Sequence, residues 1–132
     1  MKYMLDTNIC IYIIKKKPKD VFFRFGKIPP GDICISSITL AELEYGVCKS
    51  ADKTRNKTAL AGFLVPVQIL PFSENAAKVY GEIRARLERE GRVIGGYDML
   101  IAAHAISEGL TLITNNVSEF GRIGELHVEN WV

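Results

Sequence analysis

Residues 3–14, YMLDTNICIYII, decide how the rest of the chain is read. Tyr3-Met4-Leu5 is apolar, Asp6-Thr7-Asn8 is polar, and the apolar run resumes from Ile9 to Ile14. A carboxylate buried without compensation costs several kcal/mol, so Asp6 requires a partner, a solvent-filled cleft or a metal. The short lead fits a strand, and Thr7 or Asn8 suits the cap of a helix running through Ile14. A strand that hands over to a helix at a polar break is how open α/β sheets build sites at the C-terminal ends of their strands.

Working outward, the alternation recurs. Pro18 fits the start of a second helix, with Val21, Phe22 and Phe25 at helical spacing. Pro29-Pro30-Gly31-Asp32 reads as a turn, Ile33-Cys34-Ile35 as a strand, and Ser36-Ser37 as the cap of a helix ending near Lys49. Residues 53–64 read as helix and Val65 to Leu70 as strand. Ser73 caps a long helix on which Ala76, Val79, Ile83 and Leu87 follow the 3.6-residue period. Gly95-Gly96 precedes a helix over 97–108 that Gly109 ends, Leu110 to Thr114 is a strand, and Asn115-Asn116 a turn. Short strands separated by helices predict a parallel sheet covered on both faces.

Composition sets the bounds. At 132 residues, with 48% apolar and 24% charged residues, the chain has the balance of one soluble domain spanning 1–132. No apolar stretch approaches the ~18 residues of a membrane span, and the start does not have the pattern of a signal peptide. Cys10, Cys34 and Cys48 are odd in number, without CxxC spacing and among apolar neighbours, which predicts reduced core thiols and a cytoplasmic location. The net charge of +2 conceals three basic groups: Lys15, Lys16, Lys17, Lys19, Arg24 and Lys27; Lys49, Lys53, Arg55 and Lys57; and Arg84, Arg86, Arg89 and Arg92. Each alone is an ordinary solvated face; together they are compatible with a polyanion partner.

Four metal-capable side chains fall at equivalent places. Asp6 ends the first strand, Glu42 lies in the helix after Ser36-Ser37, Asp98 opens the helix after Gly95-Gly96, and Asn116 follows the strand ending at Thr114. Each has a structural reading as well: Asp6 as a helix cap, Glu42 as a surface acid, Asp98 as a carboxylate at a helix N-terminus, Asn116 as a turn residue. Asp98 shares its helical face with Ile101, Ala102 and Ala105, an unusual setting for a solvated acid.

The motifs Leu5-Asp6-Thr7-Asn8-Ile9, Ser37-Ile38-Thr39-Leu40-Ala41-Glu42-Leu43, Tyr97-Asp98-Met99-Leu100-Ile101-Ala102-Ala103-His104-Ala105 and Thr114-Asn115-Asn116 through Phe120 resemble those of PIN-domain ribonucleases, and more narrowly the VapC toxins of toxin–antitoxin pairs. The resemblance runs essentially end to end. It implies a PIN-like three-layer α/β/α sandwich with a short, mainly parallel central sheet. It makes Asp6, Glu42 and Asp98 metal-binding acids and Asn116 the fourth catalytic position, often Asp in the family. Thr7, Asn8 and Thr114 become supporting hydrogen-bonders, with Glu119 reaching the metal through water. The implied cofactor is Mg2+, with Mn2+ able to substitute, and neutral Asn116 favours one resident metal. Mg2+ takes oxygen ligands, keeps several waters and uses only one or two carboxylates directly.

The implied reaction is hydrolysis: water attacks the scissile phosphate in line, leaving 5′-phosphate and 3′-hydroxyl ends. The implied partners are an RNA substrate, most readily a tRNA and in particular initiator tRNA near its anticodon, and a VapB-type antitoxin. A homodimer within a toxin–antitoxin hetero-oligomer completes the set, with no membrane. Lys15, Lys16, Lys17, Arg84 and Arg92 are the candidate RNA contacts. His104 lies six residues beyond Asp98, nearly opposite it on the helix, and reads as a core or partner-facing histidine.

Other classes fit less well. A phosphoacceptor receiver domain needs a mid-chain acceptor Asp at a strand end, yet no Asp lies between Asp52 and Asp98. A phosphatase with an Asp nucleophile wants a second Asp where Asn8 stands. There is no GxxxxGK phosphate loop. A non-catalytic RNA-binding or interaction module on the same fold is the remaining alternative, and the three retained acids argue against it.

Overall fold

Parallel strands cannot be joined by tight turns and need crossover helices. A computed structural model, which describes residues 1–132, shows five such strands. They are β1 (Tyr3–Leu5), β2 (Ile33–Ser36), β3 (Gln68–Leu70), β4 (Thr111–Ile113) and β5 (Val128–Glu129). Their order is β3-β2-β1-β4-β5, and every neighbouring pair is parallel, so the sheet is wholly rather than mainly parallel. The helices are α1 (Thr7–Lys15), α2 (Lys19–Lys27), α3 (Ser37–Lys49), α4 (Lys53–Leu64), α5 (Glu74–Arg89), α6 (Gly96–Glu108) and α7 (Val117–Phe120). From β1 the chain builds outward through β2 to β3, then crosses back to place β4 on the other side of β1. The switch point therefore lies between β1 and β4, where open sheets form ligand crevices.

The layers follow from strand alternation. Met4, Cys34 and Leu112 face one side and pack with Ile83 and Leu87 of α5 and Met99 to Ala105 of α6. Leu5, Ile33, Ile35 and Ile113 face the other and pack with Ile9, Cys10 and Ile13 of α1, Val21 of α2, Leu43 of α3 and Leu60 and Phe63 of α4. With both faces covered, the strands carry the near-continuous apolar runs that parallel sheets require.

Helix starts are set by side chains that accept otherwise orphaned backbone N–H groups. Asp6, Ser36, Asp52 and Ser73 cap α1, α3, α4 and α5 by accepting from Ile9, Ile38, Arg55 and Ala76. The cap of α1 is thus Asp6, not Thr7 or Asn8, because a cap must precede the first helical residue, and α1 begins at Thr7 itself. Gly109 ends α6 in the left-handed region at φ 67°, as the sequence predicts. At Gly121 a Cβ would stand 2.6 Å from the Val117 carbonyl oxygen, so only glycine closes the single turn of α7.

Three expectations need correction. The strand expected over 65–70 shrinks to β3, because Val65 closes α4 and the Val67 N–H turns back to Leu64. Helix α7 and strand β5 were not expected; one turn and two residues are too short for periodicity to register. Cys10 and Cys34 are buried, but Cys48 lies exposed on the outer face of α3 and is no core thiol. No helix is long and apolar enough to cross a membrane.

His104, fully buried on α6, pairs through Nδ1 with Ser36 Oγ at 2.8 Å and meets the edge of Phe72. It is a core histidine that ties α6 to the end of β2. Ser36→Ala removes a cap and orphans that imidazole nitrogen, so it should cost about 2–4 kcal/mol in urea unfolding, against about 1 kcal/mol or less for the exposed cap in Asp52→Ala.

Candidate active site

Backbone leaving the C-terminal end of a parallel strand carries its next side chains out of the core. Asp6 leaves β1 this way and is only 4% exposed. Its Oδ1 accepts from the Ile9 N–H at 2.9 Å and its Oδ2 from the Thr114 hydroxyl across the switch point. The Thr114 hydroxyl oxygen in turn accepts from the Asn116 N–H at 3.0 Å. Glu42, half-buried on α3, accepts from the Thr7 hydroxyl at 2.6 Å. Asp98 stands half-buried in the first turn of α6. Asn116 donates through Nδ2 to Glu119 Oε2 at 2.8 Å, and Glu119 Oε1 accepts from the Gly95 N–H at 2.8 Å. That chain of bonds fastens the loop after β4 to the loop before α6.

The cluster has no cation of its own. The four ion pairs in the molecule involve Asp32, Glu88, Glu125 and Glu129, and none reaches Asp6, Glu42 or Asp98. The electrostatic response matches. Burial, then the charges of Glu119, Asp6 and Glu42, push the Asp98 carboxyl up from 3.8 to about 6. Burial is also the main cause raising Asp6, opposed by its Thr114 and Ile9 hydrogen bonds and assisted by Glu42. Glu119 moves down, held ionised by the Gly95 N–H and the Asn116 amide.

A model of the PIN domain matches residues 3–126. The chain belongs to the PIN-domain family. It is 49% identical over 132 residues to Ribonuclease VapC2 of Rickettsia felis, covering 99% of this chain and 98% of that one. It is 48% identical over 131 residues to the tRNA(fMet)-specific endonuclease VapC of Shigella flexneri, with the same coverage. Among solved structures, VapBC2 from Rickettsia felis bound to a promoter DNA fragment superposes with a TM-score of 0.94 at 47% identity, covering all of both chains. Within the PIN-domain family this is a VapC-type ribonuclease toxin.

The PIN fold thus brings Asp6, Glu42, Asp98 and Asn116 to one end of the sheet, with Thr7 and Thr114 hydrogen-bonded to the acids and the Asn8 side chain not. Thr7 holds Glu42 rather than Asp6, and Asn8 is exposed, acting on Asp6 only through its backbone N–H. Thr114 is the residue that orients Asp6. Glu119 is tied more firmly than the sequence implies; the signal for it was the three-residue step from Asn116, which puts the two side chains on one helical face. Of the candidate RNA contacts, Lys15 lines a groove together with Glu42, whereas Lys16 rests over the Phe22 ring and Arg84 is engaged by Tyr80 and Glu88. Lys17 and Arg92 are exposed.

No three of the chain's carboxyl, imidazole or thiol groups close into a ready cage for a bare cation. What the cleft offers is oxygen donors only, with excess negative charge and held orientations. That suits a hard divalent ion that retains part of its water shell.

The raised Asp98 has a measurable effect on stability. Below about pH 4 the group is protonated whether the chain is folded or not. Between about 4 and 6 the folded state keeps a proton the unfolded chain has released, and above about 6 the folded state bears the full cost of ionisation. Stability from this group is therefore lost as pH rises. Asp98→Asn should unfold at higher urea than the parent at pH 7.5, by on the order of 1 kcal/mol after allowing for its partial exposure, and the gain should vanish near pH 4.

Proposed function

We propose that this chain is a Mg2+-dependent endoribonuclease toxin that hydrolyses structured cellular RNA and is neutralised by a cognate VapB-type antitoxin. The observation that carries the reading is the set Asp6, Glu42 and Asp98 at the switch point, without any basic side chain to neutralise it. A binding module gains nothing from unbalanced charge that destabilises its own fold; a hydrolase uses it to recruit a cation.

In this reading Asp6, Glu42 and Asp98 would hold the ion, with Asn116 and Glu119 as the neighbouring polar groups. Mg2+, when bound, supplies Lewis acidity and a template for in-line attack of water on the phosphate. The protein's own contribution is positioning. Thr114 and the Ile9 N–H fix both oxygens of Asp6, and Thr7 fixes Glu42. The Asn116–Glu119–Gly95 bonds set the entry to α6 and hence Asp98. The Asp98 carboxyl, raised to about 6, holds a proton at low pH and would have to lose it before serving as a ligand, so activity should rise with pH through that range.

The relative from Shigella flexneri is named for tRNA(fMet), and similar solved chains are VapBC complexes, some of them DNA bound. We extend both points to this chain: the substrate is a tRNA, initiator tRNA cut near its anticodon, and the outcome is translation arrest in the cytoplasm. The toxin forms a homodimer within a toxin–antitoxin hetero-oligomer. Sequence on RNA is read most readily in unpaired loops, which fits an anticodon target.

Purified chain incubated with total RNA should release 5′-phosphate ends in Mg2+ and none in chelator. Asp6→Asn and Asp98→Asn should each lower cleavage about a hundred-fold or more, the scale set by losing one electrostatic stabiliser. Cleavage that persists in chelator, or in both variants, sinks the metal-nuclease reading. Charge reversal at Lys15, Lys16 and Lys17 should flatten the salt dependence of RNA binding, by about 0.7 in log–log slope for each single-strand phosphate that a lysine no longer neutralises. An unchanged slope assigns these lysines to solvent.

A further inference from the structure

Exposed aromatic rings are tolerated singly on any surface, so one alone carries no argument. Here two face the same cleft. Tyr45, 65% exposed on α3, and Tyr97, 61% exposed at the start of α6, line a hollow of about 520 Å3 that is also walled by Thr7, Glu42 and Lys49. Neither phenol makes a hydrogen bond within the protein, whereas the hydroxyls of Tyr12 and Tyr80 do. The hollow abuts the acidic cluster directly, since Glu42 belongs to both and Tyr97 adjoins Asp98 in sequence.

Cations accompany the rings. Lys49 Nζ lies 5.0 Å from the centroid of the Tyr45 ring and takes part in no ion pair. On the far side Tyr97 shares a second hollow with Tyr80, whose hydroxyl accepts from Arg84 at 2.8 Å. Aromatic faces interleaved with basic side chains are the general means of holding an unpaired strand: rings stack on bases, and cations follow the phosphates.

Gly46 shapes the same wall. It lies within α3, where glycine costs up to about 1 kcal/mol relative to alanine. A Cβ placed there would meet no atom within 4 Å, so packing inside the protein gives no reason for the missing side chain. Gly46 lines the same hollow as Tyr45 and Tyr97. Gly26, Gly62 and Gly81 are equally open glycines within other helices, so what sets Gly46 apart is its place on the cleft wall, where the missing side chain leaves room for an approaching strand.

We infer that Tyr45 and Tyr97 are the nucleobase-stacking faces of the RNA site, seating unpaired bases that flank the scissile phosphate while Lys49 follows the backbone and Gly46 leaves room for the strand. The inference rests on the nuclease reading above and names the side chains that would seat the bases of an unpaired loop. Both tyrosines bind substrate and leave the chemistry to the acids.

The test uses a hairpin RNA with 2-aminopurine at successive loop positions. Tyr45→Ala and Tyr97→Ala should each raise KM about five- to a hundred-fold, with kcat changed less than about threefold. Tyr45→Phe and Tyr97→Phe, which keep the ring, should restore KM. With the cleavage-silenced Asp98→Asn chain, 2-aminopurine fluorescence at the flanking positions should be quenched on binding, and each added Tyr→Ala change should abolish that quenching at one position. Gly46→Ala should raise Tm yet also raise KM, a pairing that a purely structural role cannot produce. Unchanged KM in both alanine variants overturns the inference, as do phenylalanine variants as damaging as alanine. Loss of capture by the partner antitoxin with KM unchanged likewise overturns it, making the cleft a protein-docking face. If the wild-type chain cuts no RNA, the nuclease reading falls, while the quenching experiment still decides the stacking.

Discussion

Asp6 answers to two masters. One oxygen closes the first turn of α1 by accepting from Ile9, and the other takes the Thr114 hydroxyl from across the sheet, so the same carboxylate both starts a helix and joins β1 to the loop after β4. Those bonds lower its pKa while burial and Glu42 raise it, and burial wins. The result is a side chain held rigidly in place and still electrostatically unsatisfied. Everything else at that end of the sheet is arranged around this imbalance: Glu42 steadied by Thr7, Asp98 lifted to about 6, and Glu119 kept ionised by Gly95 and Asn116.

The imbalance is tolerable because the remainder of the fold is locally consistent. Two apolar layers sandwich a sheet whose strands are apolar on both faces, four helices carry side-chain caps, and α6 ends on a glycine suited to its left-handed turn. Sequences usually break their own rules at sites of function and stay orderly elsewhere. Gly46 and the two bare tyrosines are further departures from the structural optimum, and they border the same cleft.

The sequence made the architecture legible wherever periodicity had length to act on. The long helix after Ser73, the helix closed by Gly109 and the strand before Thr114 all lie close to where their patterns put them. Helix α7 and strand β5 were invisible, because a four-residue helix and a two-residue strand are specified by what they pack against, not by their own pattern. At the site, the positions of the acids could be read from motif spacing, since strand ends converge in any parallel sheet. Which hydroxyl holds which carboxylate could not. Thr7 lies next to Asp6 in sequence yet bonds Glu42, 35 residues away, and the hydroxyl that holds Asp6 comes from Thr114. Such pairings depend on helix rotation and rotamer, which no linear pattern records. Cys48 failed for the same reason: apolar neighbours in sequence do not say which side of a helix meets the core.

The placement of β1 between β2 and β4 also bears on when the acidic set comes into being. Asp6 meets its partner Thr114 across 108 residues of chain, and the loop that ends in Glu119 must form before Gly95 is held. During synthesis β1 emerges first and must wait, its neighbour on one side missing, until almost the whole polypeptide has left the ribosome. A partly made or truncated chain therefore has the acids without their alignment. Topology alone therefore withholds the assembled acidic cleft of this ribonuclease until the protein is nearly whole.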